Sequence, residues 1–183
     1  MKKVLITGSF IFVVVVAISL GFCQLLEIYN NDFETGDLGG WTCYGNWFIS
    51  DSPGDVYRGK CSAVIDLSQE ESNRKRWETN AMYQDIRCHP EEKFEVSVYI
   101  SVSNLRNAEA YLRVEALSKS GDIITGWNSE KITGNVDYEE FKVSGKTPVG
   151  TVDLRVLGYT QNTSNNPLGK ARFDFFSSVE MQV

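Results

Sequence analysis

Three stretches of the chain alternate strictly between hydrophobic and polar residues. They cover residues 94–101, 111–117 and 152–157. An alternation with a period of two buries one side of an extended strand and leaves its other side in water. Stretches rich in Gly, Asn and Pro at residues 121–122, 133–135 and 165–167 are typical of turns. Short strands divided by turns predict an all-β sandwich.

The first 23 residues have the composition of a secretory signal peptide. Lys2 and Lys3 form a basic start, and residues 4–22 carry no charge. We predict cleavage after Gly21 or after Cys23, which leaves one domain over residues 24–183 and makes the protein secreted or extracytoplasmic. The alternatives are an uncleaved membrane anchor, since the apolar span is just long enough to cross a bilayer, or lipidation of Cys23. Only these alternatives predict a membrane association.

The charge of the chain is acidic, and this limits the partners that it can bind. The net charge is −6 from 18 basic and 24 acidic residues, and removal of Lys2 and Lys3 gives 16 − 24 = −8. Binding to nucleic acid needs clustered Lys and Arg, and the only dense basic stretch is residues 74–76. We therefore expect no nucleic-acid partner.

Three cysteines remain in the mature chain, Cys43, Cys61 and Cys88. Disulfides persist outside the cytoplasm, and three cysteines allow one internal bridge at most unless Cys23 is retained. Spacing does not choose the pair. We favour Cys61–Cys88 because these residues flank two stretches that could pair as antiparallel strands. No Cys/His cluster with the spacing of a zinc site is present.

Four short motifs occur in a characteristic order. They are N-N-D-F-E-T-G-D-L-G-G-W at residues 30–41, R-G-K-C-S-A at 58–63, T-P-V-G at 147–150 and A-R-F-D at 171–174. Together they resemble carbohydrate-binding modules of the family four/nine kind, which accompany cellulases and xylanases. Cys61 and Phe175 depart from the family pattern, which has an aromatic residue and a second Asp at these positions. The resemblance covers residues 28–183 and implies a jelly-roll β-sandwich of two antiparallel sheets.

The same resemblance implies a structural calcium ion. It assigns the carboxylates of Glu34 and Asp174 and the backbone carbonyl of Lys60 as ligands. Carboxylates and carbonyls are the oxygen ligands that calcium takes in proteins. The alternative is that Glu34 caps a turn and that Asp174 is only a polar residue.

The alternation also separates residues that point inward from those that point outward. If the alternating strands lie in one sheet, their outward residues form a single surface of aromatic and charged groups. Such a surface suits sugars, because aromatic rings cover their CH faces and polar groups bond their hydroxyls. We add Trp127 from an adjoining loop, and we expect Trp41 in the core. The predicted carbohydrate-binding residues are Tyr99, Tyr111, Arg113, Glu115, Trp127, Arg155 and Tyr159.

Three functions are compatible with these patterns. The first is a non-catalytic module that binds a polysaccharide or another glycan. The second is an extracellular structural or protein-binding sandwich without sugar affinity. The third is a jelly-roll glycoside hydrolase or lyase, which needs two carboxylates across a sugar, and Glu95 with Glu115 is the only outward pair that the strand pattern indicates. The single histidine, His89, precedes a proline and is expected in a turn. The sequence therefore favours the binding module.

Overall fold

The structure, a computed structural model, describes residues 27–69 and 79–179. The predicted signal peptide, residues 1–23, lies outside these residues, as does the basic stretch at residues 74–76. The described part consists of nine strands and one short 3₁₀ turn at Leu67–Gln69. The strands are β1 (Thr42–Tyr44), β2 (Trp47–Ser50), β3 (Ser62–Asp66), β4 (Thr79–Arg87), β5 (Lys93–Leu117), β6 (Ile123–Asn128), β7 (Ile132–Lys146), β8 (Asp153–Asn162) and β9 (Leu168–Val179). None of the described segments forms a helix of the length and hydrophobicity needed to span a membrane.

All the strand pairs are antiparallel, and β5 belongs to both layers of the sandwich. Its residues 93–106 pair with β7 and β9, whereas its residues 108–117 pair with β8 and β6, apart from one further pair between Ala110 and Ile132 of β7. Register shifts between these halves, with positive φ angles at Asn104 and Asn107, redirect the strand. We call the layer of β1, β4, β8, the second half of β5 and β6 the front sheet. The layer of β2, β3, β9, the first half of β5 and β7 is the back sheet.

The two sheets approach closely around Gly158 of β8. A Cβ atom at this position would lie 2.9 Å from Met82 Cε in the same sheet and 3.0 Å from Phe173 Cδ1 of the back sheet. Glycine is therefore required where the layers touch. The inward residues of both sheets, such as Met82, Leu112 and Phe173, are fully buried in one core. This confirms the prediction of an all-β jelly-roll sandwich built from two antiparallel sheets.

The N-terminal segment closes one end of this core with aromatic side chains. Trp41 is only 7% exposed, as expected, and its ring centre lies 4.7 Å from that of Phe176. The side-chain amide of Asn31 donates a 2.8 Å hydrogen bond to the backbone oxygen of Phe176 in β9, and the backbone amide of Phe176 donates one of 2.8 Å to the backbone oxygen of Asn31. The segment before β1 is thereby fastened to the last strand.

Three sequence-based expectations about the fold require correction. Residues 94–101 and 111–117 belong to one long strand, β5. Residues 133–135 lie inside β7, where Gly134 takes a positive φ angle without ending the strand.

The third correction concerns the predicted disulfide, since the cysteines Cys43, Cys61 and Cys88 are all free thiols. The bridge Cys61–Cys88 is not formed because the strands that follow and precede these residues, β3 and β4, lie in different sheets and do not pair.

Candidate functional site

The outward side of the front sheet carries tyrosine on four neighbouring strands. Tyr44 of β1, Tyr83 of β4, Tyr159 of β8 and Tyr111 of β5 all point away from the core, because their strand neighbours Met82, Gly158 and Leu112 point into it. We call this outward side the tyrosine face. Tyr159 stands opposite both Ala81 and Tyr111 in the register. The alternation within each strand thus produces one continuous aromatic surface across the sheet.

The four tyrosine rings form two pairs. The ring centres of Tyr44 and Tyr83 are 5.9 Å apart with an angle of 22° between the planes, and those of Tyr111 and Tyr159 are 5.0 Å apart at 43°. Both separations fall in the range of favourable aromatic contacts. A side-chain hydrogen bond with Tyr44 is the main reason that the pKa of Tyr83 is raised, and burial adds to it. The rings are therefore held in defined orientations.

Arg155 of β8 connects the aromatic and charged parts of the tyrosine face. Its Nε and Nη2 atoms donate hydrogen bonds of 2.7 and 2.9 Å to the two carboxylate oxygens of Asp85. The guanidinium lies 4.2 Å from the centre of the Tyr83 ring. Such a bidentate pair fixes the guanidinium plane, and the hydrogen bond to Asp85 is the main reason that the pKa of Arg155 is raised.

A second pair of charged side chains, Arg113 and Glu115, lies on β5, the strand next to β8. Arg113 Nε donates a 2.7 Å hydrogen bond to Glu115 Oε1, and Arg113 Nη1 donates a 2.9 Å bond to Asn128 Oδ1 of β6. A Cβ atom on Gly126 would lie 3.0 Å from Arg113 Nη2, so glycine leaves room for this guanidinium. Glu115 is only 6% exposed. A buried carboxylate needs such a partner because the loss of hydration is costly.

The centre of the tyrosine face is much less exposed to solvent than its edge. Tyr111, Leu157 and Glu115 point away from the core but are at most 6% exposed, whereas Tyr44 at the edge is 60% exposed. Lys131 covers part of the Tyr111 ring, with its Nζ atom 5.0 Å from the ring centre. This burial is the main cause of the raised pKa of Tyr111. We call this less exposed centre, which holds hydrophobic and charged groups, the groove of the tyrosine face.

The structure brings five of the seven predicted binding residues together on this face and places two elsewhere. Tyr111, Arg113, Glu115, Arg155 and Tyr159 all lie on the tyrosine face. Tyr99 points outward from the back sheet, because β5 changes layers between Tyr99 and Tyr111. The seven residues therefore do not form the single surface that one sheet would have given. Whether any of them contacts a sugar stays a prediction.

Trp127 also lies differently from the expectation. It belongs to strand β6, opposite the core residue Val114, and its ring centre is 4.9 Å from that of Phe94. Its side chain thus packs on the inner side of the sandwich instead of rimming the groove from a loop. The prediction of a loop position was wrong because the turn ends before β6 begins at Ile123. Within β6, Trp127 is one of the residues whose side chains point toward the core.

Sequence reasoning missed three residues of the face, Tyr44, Tyr83 and Asp85. Tyr44 lies in a strand of three residues, which is too short to show a period. The strand of Tyr83 and Asp85 has polar Asn80 and Gln84 on its buried side, so its alternation is weak. The sequence did contain one signal, the hydrophobic residues Met82 and Ile86 at even positions of the same strand.

Glu34 and Asp174 both bind backbone amides of the segment before β3. Glu34 Oε1 accepts hydrogen bonds from the amides of Lys60 and Cys61 at 2.7 and 2.9 Å, and these bonds lower the pKa of Glu34. Asp174 Oδ2 accepts bonds from the amides of Tyr57 and Arg58 at 3.0 and 3.1 Å. Asp174 is fully buried and its Oδ1 atom has no hydrogen-bond partner. Burial is the main cause that raises the pKa of Asp174 to about 6, and the charge of Glu34 contributes.

A family model described as a carbohydrate binding domain, CBM_4_9, matches residues 27–164 of the sequence. This match spans β1–β8, including every strand of the tyrosine face. No curated protein matches the sequence.

Solved structures with the same fold include several carbohydrate-binding modules. The CBM22-1 xylan-binding domain of Paenibacillus barcinonensis Xyn10C aligns with 83% of this chain and 92% of its own, with a TM-score of 0.56 and 18% identity. TmCBM61, solved in complex with β-1,4-galactotriose, aligns with 86% of this chain and 99% of its own, with a TM-score of 0.59 and 13% identity.

A larger protein also contains this fold. The enzymatically active domain of bacteriophage CBA120 tailspike protein 4 aligns with 85% of this chain, with a TM-score of 0.62 and 11% identity. The present chain spans only 21% of that protein. At these identities the structural similarities establish the shared fold.

Proposed function

We propose that this chain, which belongs to the CBM_4_9 carbohydrate-binding domain family, binds a polysaccharide in the groove of its tyrosine face and does not cleave it. Binding of carbohydrate is the property of the family. The location of the site and the absence of cleavage are our inference from the geometry.

The observation that carries the proposed site is the fixed array of rings and charged groups on one sheet. Tyr44, Tyr83 and Tyr159 remain at least partly exposed and offer flat hydrophobic area on which CH faces of pyranose rings can lie. The Arg155–Asp85 and Arg113–Glu115 pairs stand beside these rings. Because these pairs already hold each other in place, their remaining donors and acceptors can meet sugar hydroxyls with little loss of conformational freedom.

A groove that crosses several strands suits a chain of sugar units better than a single one. Tyr44 at one edge and Arg113 with Asn128 near the other lie on opposite sides of the strands that carry Tyr83 and Tyr159. The xylan-binding and galactotriose-bound relatives show that this fold accommodates β-linked chains in other proteins. We therefore propose a soluble or cell-wall polysaccharide as the ligand.

The arrangement of carboxylates supports binding without hydrolysis. Cleavage of a glycosidic bond needs two carboxyl groups that face each other across the sugar. Glu95 lies on the back sheet and Glu115 on the front sheet, so the acid pair indicated by the sequence does not share a site. Asp85 and Glu115 do share the tyrosine face, but each is bound by an arginine. His89 lies in an exposed turn beside Glu92.

Affinity electrophoresis of the full mature chain tests this function. Soluble xylan, mixed-linkage β-glucan, mannan and β-1,4-galactan serve as probes. We expect retardation by at least one polymer, and a loss of retardation in Tyr83→Ala and Tyr44→Ala. Tyr29→Ala is a matched control, because Tyr29 is 60% exposed like Tyr44 but lies outside the strands of the face. Normal migration of a folded protein in every polymer would overturn the proposal and favour a protein-binding sandwich.

We also propose that Glu34 and Asp174 hold a structural calcium ion. The unbonded and buried Oδ1 atom of Asp174 supports a cation here, since buried oxygen atoms without a partner are rare. Two carboxylates suit calcium, which takes six to eight oxygen ligands, and backbone carbonyls such as that of Lys60 together with water would complete the set. An ion bound here would fasten the N-terminal segment and the segment before β3 to β9.

A module of this kind must leave the cytoplasm to reach a polysaccharide ligand outside it. We propose that residues 1–23 direct secretion and that the mature chain acts in an extracytoplasmic space. N-terminal sequencing of the protein released by the producing cell tests this. A mature chain that begins near residue 24 is expected, whereas an intact Met1 in a membrane fraction would contradict cleavage.

A further inference from the structure

A cavity lies on the side of the sandwich opposite to the tyrosine face, at the segment between β2 and β3. It has a volume of about 500 Å³, which is within the usual range for small-ligand sites. No residue of the tyrosine face lines it. The cavity is lined by Asp51, Pro53, Val56, Tyr57, Gly59 and Lys60.

Tyr57 supplies this cavity with a ring of fixed orientation. The ring centre is 3.8 Å from that of Tyr99 with an angle of 13°, so the two rings are stacked. Tyr138 of β7 supports Tyr57 from a second direction at 5.4 Å. Tyr57 nevertheless remains 42% exposed, and Tyr99 does not line the cavity. The part of Tyr57 that Tyr99 leaves uncovered is therefore available to a ligand.

The segment that carries Tyr57 is held in place by contacts to three strands. Asp174 of β9 accepts hydrogen bonds from the amide of Tyr57, and Arg172 of β9 donates to the carboxylate of Asp55. The Tyr138 hydroxyl of β7 and the Ser62 hydroxyl of β3 donate to the backbone oxygen of Asp55. The cavity wall is thus already ordered before a ligand enters, which reduces the entropy cost of binding.

Two opposite charges at the cavity have no ion-pair partner among the described residues. Asp51 and Lys60 both line the cavity and are exposed, and neither side chain makes an ion pair or a hydrogen bond in the described part of the chain. By contrast, the arginines of the tyrosine face are all engaged with acids. A free carboxylate and a free ammonium beside an exposed ring can bind hydroxyl groups without competition from an existing partner.

We propose that this cavity is a second carbohydrate subsite, which takes one or two neutral pyranose units against Tyr57 with hydroxyls bound by Asp51 and Lys60. A neutral ligand fits because the two charged side chains that line the cavity are of opposite sign. The subsite and the groove of the tyrosine face lie on opposite outer sides of the sandwich. One molecule can therefore hold two polysaccharide chains, or two parts of one chain, and bind them with higher avidity than either site alone.

Amide-resolved NMR titration of the mature chain distinguishes this subsite from the groove. Xylohexaose, cellohexaose, mannohexaose and β-1,4-galactotriose are the probes. We expect one of them to shift amide signals of residues 51–60 as well as signals of the tyrosine face. In Tyr83→Ala the shifts at 51–60 should persist. In Tyr57→Ala they should weaken about tenfold in affinity, and Tyr57→Phe, which keeps the ring, should retain them.

Each outcome of this titration decides between the two sites. Shifts at the tyrosine face alone, with residues 51–60 silent for all four probes, would overturn the second subsite and leave the proposed function intact. Shifts at 51–60 alone would support the subsite and overturn the groove. Silence of both regions would overturn both. Asp51→Asn supplies a second variant with an unchanged fold, and we expect it to weaken binding at 51–60 about threefold.

Discussion

The guanidinium of Arg155 lies 4.2 Å from the centre of the Tyr83 ring, and its two hydrogen bonds to Asp85 hold it there. One residue of β8 thus orients an acid and an aromatic ring that both belong to the neighbouring strand β4. The ring also contacts Tyr44, so the order extends to the edge of the front sheet. A ligand that lies on Tyr83 would meet a surface that is already arranged.

This relationship predicts that Arg155→Met weakens polysaccharide binding more than it weakens the fold. We expect a loss of affinity of about tenfold, because a cation over an aromatic ring contributes roughly 0.5–2 kcal/mol and the Tyr83 ring loses its support. The melting temperature should change little, since partly exposed ion pairs contribute about 0–1 kcal/mol. Arg87→Met, which removes the Arg87–Asp153 pair, is the control. Equal losses of affinity in both variants would contradict the role of Arg155.

Tyr111 should matter for stability through its ring and much less through its hydroxyl. It is 3% exposed, and its hydroxyl donates a 3.1 Å hydrogen bond to Gln161. We expect Tyr111→Phe to lower the free energy of unfolding by about 1 kcal/mol. Tyr111→Ala should lower it by roughly 3–5 kcal/mol, because a large buried ring is lost. Urea unfolding measures both, and a small effect of Tyr111→Ala would show that the ring is not buried in solution.

The proposed calcium ion should stabilise the fold. At a calcium concentration of 100 times the dissociation constant, the free energy of unfolding should rise by about 2.7 kcal/mol relative to chelated protein. Asp174→Asn should remove this response. Asp37→Asn should keep it, because Asp37 is an acid of the same N-terminal region that bonds Thr35 and Gly39. Identical melting curves with calcium and with chelator in the wild-type chain would exclude the site.

Acid should weaken the attachment of the segment before β3. Burial alone would raise the pKa of Asp55, but hydrogen bonds from Arg172 and Ser50 outweigh it and lower this pKa below its ordinary value of 3.8. The stabilisation is therefore complete above the ordinary pKa and is lost as pH falls through the folded pKa. We expect the free energy of unfolding to fall more steeply below about pH 4 in the wild type than in Asp55→Asn. Parallel curves in urea unfolding would contradict the ion pair.

Cys88 should resist alkylation in the folded protein. Its side chain is 5% exposed, and burial, followed by nearby acids, raises the pKa of its thiol to about 12. Treatment with iodoacetamide at neutral pH and analysis by mass spectrometry should label Cys88 only after unfolding in urea. Cys43 and Cys61 are partly exposed and should be labelled earlier. Failure to label Cys61 and Cys88 without a reductant, even in urea, would show that the bridge between them exists after all.

The strands themselves were predictable from local pattern, because the period of two depends only on which side of an extended chain is buried. Residues 111–117 and 152–157 lie in β5 and β8 with the expected inward and outward sides. For the same reason Tyr111, Arg113, Glu115, Arg155 and Tyr159 were correctly assigned to an outward surface. The alternation does not say which sheet a strand joins.

Pairing between strands that are distant in sequence had to come from the structure. Tyr44 and Tyr83 meet because β1 pairs with β4, and the short or weakly alternating strands that carry them give little sign of this. Residues 51–60 form a cavity because contacts to β3, β7 and β9 hold the segment, and these contacts join residues that are not neighbours in the sequence. Trp127 lies inside because β6 adds to β5 with a particular register.

The sequence by itself thus determined the all-β class of the fold, its sandwich architecture and the family to which the chain belongs, since these follow from periodicity and short motifs. Only the tertiary structure decided that Tyr99 and Tyr111 lie on opposite sides of the molecule. The cause is the change of layers within β5, at Asn104 and Asn107, where the register shifts and the φ angles are positive. The alternation is interrupted at the bend and resumes after it with hydrophobic residues again at even positions, whereas the surface formed by the odd positions changes from one side of the protein to the other.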